Sequence, residues 1–147
     1  MKDEVLKMIQ IECDRVPEAF GGQVSEEEVE KAEGILGVKI QDDYKEFIRR
    51  FGAGCVGQAV ILGLREAEFF PTPSFIEESL DFRKHLPSAY SKMVVIGVDG
   101  AGNPIGFIYP SEMIFVYDHD FGGRYDLANS FEDYILKALN RTLGIHF

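Results

Sequence analysis

Residues 94–109 read VVIGVDGAGNPIGFIY, with Gly97, Asp99, Gly100, Gly102 and Asn103 set between two runs of branched apolar residues. The stretch is either a loop that cradles a phosphate or a metal, or the corner of a β-hairpin. A P-loop requires G-x-x-x-x-G followed by Lys and then Ser or Thr, because the lysine meets the phosphates and the hydroxyl meets magnesium. Gly97 and Gly102 have that spacing, but Asn103 and Pro104 occupy the two chemical positions. A dinucleotide loop opens a helix whose N-terminal amides face the pyrophosphate. Here Pro104 leads into IGFIY, a strand pattern. A calcium loop starting at Asp99 would need oxygen ligands at alternate positions and a closing bidentate glutamate; Ala101 and Pro110 fall at two of those places. The hairpin corner remains. Glycine permits positive φ, asparagine tolerates it, and a proline can begin a strand without breaking a ladder.

Strands are expected on both sides of that corner. AVILGL (59–64), MVVIGV (93–98) and MIFVY (113–117) are continuous apolar runs, the pattern of strands covered on both faces in the middle of a sheet. Helices surround them. Ser25 is an N-cap, Glu28 completes a capping box, and Val24 faces Val29 as a hydrophobic staple. Val29, Ala32 and Leu36 then share one face, and Gly37 supplies the terminating residue. In QDDYKEFIRRFG (41–52), Tyr44, Phe47, Ile48 and Phe51 recur at helical spacing and Gly52 marks the stop. Ser74 and Glu77 form another capping box, before a helix with Ile76, Leu80 and the Arg83 stem on its inner side. Ser130 caps FEDYILKALNRTLG, with Phe131, Tyr134, Ile135 and Ala138 toward the core and Gly144 as terminator. Val5, Met8 and Ile9 mark one more helix at the start.

Composition bounds the function. A chain of 147 residues suits one domain, able to bury roughly 68–70% of its unfolded surface. No apolar run approaches the ~20 residues that cross a bilayer, and the first residues carry acids where a signal peptide has its apolar centre. A soluble cytoplasmic protein with no membrane association is expected. Cys13 and Cys55 form no C-x-x-C and read as buried thiols. The net charge of -10 repels phosphates, which argues against direct nucleic-acid binding and favours a basic partner.

VYDHDFGGRYD (116–126) is the other stretch with chemical interest, since Asp118, His119 and Asp120 resemble metal ligands. Strand alternation, however, sends Asp118 and Asp120 to one face and His119 to the other. The remaining histidines are His85, after a charged helix end, and His146, beside the C-terminus. There is no G-x-S-x-G, and Cys55 has no histidine near it in sequence. No catalytic residue, metal or cofactor is expected.

The succession of IQDDYKEFIRRFGAG (40–54), VVIGVDGAGNPIGF (94–107), VYDHDFGG (116–123) and ANSFEDYIL (128–136) resembles the SUKH superfamily of bacterial immunity proteins and fungal cell-wall-assembly regulators. One departure is Gln41, where members often carry proline to start the second helix. The resemblance implies a single α+β domain over residues 1–147, with a central, largely antiparallel sheet packed by several helices and no catalytic machinery. It also implies an antidote that covers a cognate protein toxin, frequently a nuclease; the alternative is a scaffold or regulatory module with an endogenous partner. Two stretches suit such an interface. REAEFFPTPSF (65–75) sets Glu66 and Glu68 beside Phe69 and Phe70, an acidic rim with aromatic anchors, unless both rings fold back into the core. Asp118, Asp120 and Phe121 form the second.

Overall fold

The computed structural model describes residues 1–145; His146 lies outside the described residues. Helix α1 spans Asp3–Arg15, α2 Glu26–Leu36 and α3 Asp42–Phe51. Strands β1 (Gly54–Val56) and β2 (Ala59–Ile61) follow, then α4 (Phe75–Arg83), strands β3 (Val94–Val98), β4 (Pro104–Phe107), β5 (Ile114–Asp118) and β6 (Gly123–Ala128), and α5 (Phe131–Leu139). The fold is α+β: β3-β4-β5-β6 is an antiparallel meander, and β1-β2 is a separate antiparallel hairpin.

The helix starts follow the sequence signals because each cap bond closes within three residues. Ser25, Ser74 and Ser130 accept the amides of Glu28, Glu77 and Asp133 at 3.2, 3.1 and 3.1 Å. Gly37 ends α2 in the left-handed region at φ 68°. The core faces of α2, α3 and α5 are the expected ones, with Tyr44, Phe47, Ile48, Phe131 and Ile135 all at 0% exposure.

Several expectations are corrected. AVILGL is not a strand in the middle of the main sheet: only Ala59–Ile61 is extended, and it pairs with β1 alone. Ala59, Ile61 and Leu62 are buried, and the segment packs beside β3, where the Leu62 amide donates to the Ile96 carbonyl at 2.8 Å. On α4, Leu80 is 38% exposed while Phe75 and Ser79 are sealed inside. The hydroxyl faces inward because Ser79 Oγ accepts the Val95 amide at 2.8 Å, a donor that the edge strand would otherwise leave unpaired. The Arg83 stem does pack inward, its guanidinium donating to the Met93 and Leu36 carbonyls at 3.0 and 2.8 Å. On α1, Met8 is 42% exposed, and Leu6 takes its expected place in the core. Helix α5 stops at Leu139 rather than at Gly144, and Arg141 at φ 56° turns the chain. Both thiols are half-buried and free.

Gln41 explains its own departure from proline. It is 5% exposed; its Nε2 donates to the Glu112 carbonyl at 2.9 Å and its Oε1 accepts the Phe131 amide at 3.3 Å. One side chain thereby joins the start of α3, the β4–β5 connection and the start of α5. At the centre of the core, Tyr44 meets Phe131, Phe75 and Phe107 with ring centroids 5.1, 5.5 and 6.1 Å apart. Its buried hydroxyl donates to the Leu62 carbonyl at 2.5 Å, and desolvation pushes the phenol far above its ordinary pKa.

Candidate functional site

The 94–109 stretch is a hairpin corner. Gly102 carries the positive φ, at 83°, the Asp99 amide donates to the Asn103 carbonyl at 3.0 Å, and Pro104 begins β4. Asn103 is not there for left-handed backbone: among the described residues only Arg141 has positive φ without being glycine. Asn103 is 6% exposed and works through its side chain. Its Nδ2 donates to Asp99 Oδ2 at 3.2 Å, while its Oδ1 accepts the His119 amide at 3.1 Å and stands 2.8 Å from His119 Nδ1. The β3–β4 corner is thereby clasped to the β5–β6 turn. Replacing Asn103 with alanine removes this clasp and should cost about 1–2 kcal/mol. A thermal melt should fall by about 5 °C, and the His119 amide should exchange faster with solvent; an unaltered melt would mean that backbone geometry alone matters at this position.

That clasp accounts for the histidine that resembled a metal ligand. His119 also packs against Tyr117 and Phe82, with centroids 5.5 and 6.4 Å apart. Asp118 Oδ1 accepts the amides of Asp120 and Phe121 at 2.9 and 3.0 Å, shaping the turn. Among the described residues no three His, Cys, Asp or Glu side chains gather to hold a metal ion. An open cleft of about 740 Å³ lies between the α2–α3 joint and the β4–β5 connection. Its Lys45 is already paired with Glu33 at 3.2 Å.

The first candidate stretch leads into α4, and the second spans the end of β5 and the turn before β6. In the first, Phe69 is 59% exposed and Phe70 36%, so neither ring folds back into the core. Glu66 and Glu68 are exposed beside them, with Ala67 buried between. The loop is pinned at several points. Ala67 anchors it, the Phe69 amide donates to the Glu18 carbonyl at 3.0 Å, and the Leu64 amide donates to the Gly52 carbonyl at 2.8 Å. Arg65 makes two parallel bonds to Glu28, NH1 to Oε2 and NH2 to Oε1, both at 2.8 Å. The guanidinium holds the Glu28 carboxyl below its usual range.

This pairing comes in addition to the capping box, in which the Glu28 carboxylate also takes hydrogen bonds from Ser25. Ser25 caps α2, its hydroxyl stands 3.5 Å from Glu28 Oε1, and the same carboxylate reaches Arg65, 37 residues away. The loop's cation is thereby neutralised, leaving the exposed part of the loop acidic and aromatic. A lone arginine in an acidic loop is the sequence signal for such a pair, and it does not say which acid answers.

In the second stretch, Asp120 and Phe121 are exposed, Phe121 at 66%, and Asp118 is half-buried. Phe121 stacks on Tyr125 at 4.9 Å, so the exposed aromatic surface extends into β6. Sequence patterning missed this extension because Tyr125 lies across a turn from its neighbour. The next residue back, Arg124, sits 3.8 Å above the Phe115 ring.

A family model for SMI1 / KNR4 proteins (SUKH-1) matches residues 23–137, a span that contains α2 through most of α5 and both candidate stretches. No curated protein matches the sequence.

Proposed function

The chain belongs to the SMI1 / KNR4 family (SUKH-1), and from that premise we propose that it is an immunity protein. It binds a cognate protein toxin, a nuclease domain, and neutralises it by covering the basic cleft that the toxin needs for phosphates. The chain contributes a surface and no chemistry of its own. The observation that carries this reading is the pinned 65–70 loop, which exposes two phenylalanines beside two exposed carboxylates while its arginine is held by Glu28.

Aromatic anchors in a water-excluding ring dominate interface energies. A loop fixed before binding loses little entropy when it docks. Acidic groups around such anchors steer a basic partner and raise association rates roughly 10–10³-fold, which suits a chain with net charge -10. Among the described residues no helix is long and apolar enough to cross a membrane.

The test is kinetic. Glu66, Glu68, Asp118 and Asp120 are changed to their amides, and association with a nuclease domain encoded beside this chain is followed across a salt series. The on-rate should fall by about tenfold and its salt dependence should flatten. An on-rate equal to that of the parent at every salt concentration would remove these four carboxylates from the interface, and absence of any complex would overturn the immunity reading itself.

A further inference from the structure

The two edges of the four-stranded sheet are finished differently. At β3 the Val95 amide is met by Ser79 Oγ and the Ile96 carbonyl by the Leu62 amide. Helix α4 and the segment after β2 therefore close that edge. At β6 no further strand pairs among the described residues, and Arg124, Tyr125 and Asp126 are exposed. Only the far end is engaged. Lys137 Nζ donates to the Leu127 carbonyl at 3.2 Å, and the register shift between Ile114 and Phe115 interrupts regular pairing there. An open edge is a row of unpaired backbone donors and acceptors, a template for another strand.

We propose that β6 is a self-pairing edge, on which a second copy of this chain adds antiparallel about a two-fold axis at Tyr125. The occupant is identified by charge. Arg124-Tyr125-Asp126 is its own complement: with Tyr125 on the axis, Arg124 of each copy faces Asp126 of the other, and both pairs form at once. Arg124 already reaches Asp126 of its own strand, from Nε at 3.1 Å and from NH2 at 2.7 Å, so exchanging partners keeps both charges satisfied. The strand GRYDLA carries one base and one acid and is neutral, whereas the chain as a whole carries -10. A basic partner is drawn to the acidic patches, and this neutral strip suits its own copy. Tyr125 at 47% and Phe121 at 66% exposure, stacked at 4.9 Å, bring an apolar centre to the axis from each side. The pairing joins two meanders into one continuous sheet, and it does not depend on the identity of any toxin.

The experiment uses the full chain alone. Sedimentation equilibrium from about 10 μM to about 1 mM should show a monomer giving way to a dimer by mass action. In parallel, hydrogen exchange at the amides of residues 123–126 should slow as concentration rises. Asp126→Arg sets like charges opposite each other at both symmetric positions. It should weaken the dimer roughly tenfold, even though it makes the chain less negative and so lowers the general repulsion. The double exchange Arg124→Asp with Asp126→Arg restores complementarity and should restore the dimer. A monomer at every concentration overturns the proposal, as does a dimer whose strength Asp126→Arg leaves unchanged or whose formation leaves exchange at 123–126 unaltered. Failure of the double exchange to recover, with circular dichroism showing both variants folded, overturns the two-fold register.

Discussion

Tyr44→Ala is expected to remove about 4 kcal/mol of folding stability, a large share of the roughly 5–15 kcal/mol that holds a domain folded. The ring is fully buried and, among the described residues, is the only one to touch Phe75 of α4, Phe107 of β4 and Phe131 of α5 together. Its removal opens a cavity that none of these elements can fill without abandoning another contact. The hydroxyl adds a separable part, since its bond to the Leu62 carbonyl holds the exit of β2 against α3. Tyr44→Phe deletes only that bond and should cost about 1–2 kcal/mol, the usual consequence of leaving a buried carbonyl unpaired. Denaturant titrations of the two variants measure both parts. A loss below about 2 kcal/mol for the alanine variant would mean that the three surrounding rings can collapse on one another, contrary to their attachment to three separate elements.

Gly63→Ala is the second substitution expected to be severe, and it links stability to the interface loop. A Cβ at residue 63 would lie 1.6 Å from the Gly52 carbonyl oxygen and 2.6 Å from its carbon. Both are backbone atoms and cannot swing aside as a flexible side chain could. Gly52 itself sits at φ 75°, with room for a Cβ blocked by the Gly22 carbonyl 2.2 Å away. The end of α3, the segment after α1 and the entry to the 64–75 loop thus approach at glycine-only distances. The Leu64 amide bonds the Gly52 carbonyl, and the Phe75 amide bonds the Gly63 carbonyl at 3.0 Å, so an added methyl would push apart the bonds that aim Phe69 and Phe70. The expected loss is about 3 kcal/mol or more, with partner affinity falling further than the melt alone explains. A variant as stable as the parent would show that the loop and the end of α3 can separate without disturbing the core.

What the sequence discloses here is what short-range bonds decide. Ser25, Ser74 and Ser130 announce helices because a cap and its amide are neighbours, and the corner at residues 99–103 is legible because Gly102 and Pro104 restrict the backbone locally. The inner faces of α2, α3 and α5 also follow from spacing, since each buries its stripe against one continuous core. Misreadings begin where a distant neighbour decides. Ser79 faces inward because β3 presents an unpaired amide, and AVILGL packs beside a sheet it does not join. Asn103 is recruited by His119 across two hairpins. The composition of the 65–70 loop offered both outcomes for its phenylalanines; the Ala67 anchor and the Glu28–Arg65 pair, which project the rings, rely on residues far away in the chain.

Gln41 shows how local preference and global need can diverge. Proline there would preset the backbone at the entry to α3, a gain for that helix alone. It would leave the Phe131 amide, sealed from water, and the Glu112 carbonyl without the partners that the glutamine supplies. The chain accepts a less rigid helix entry in order to settle two remote backbone groups, and its landscape is less frustrated for that choice.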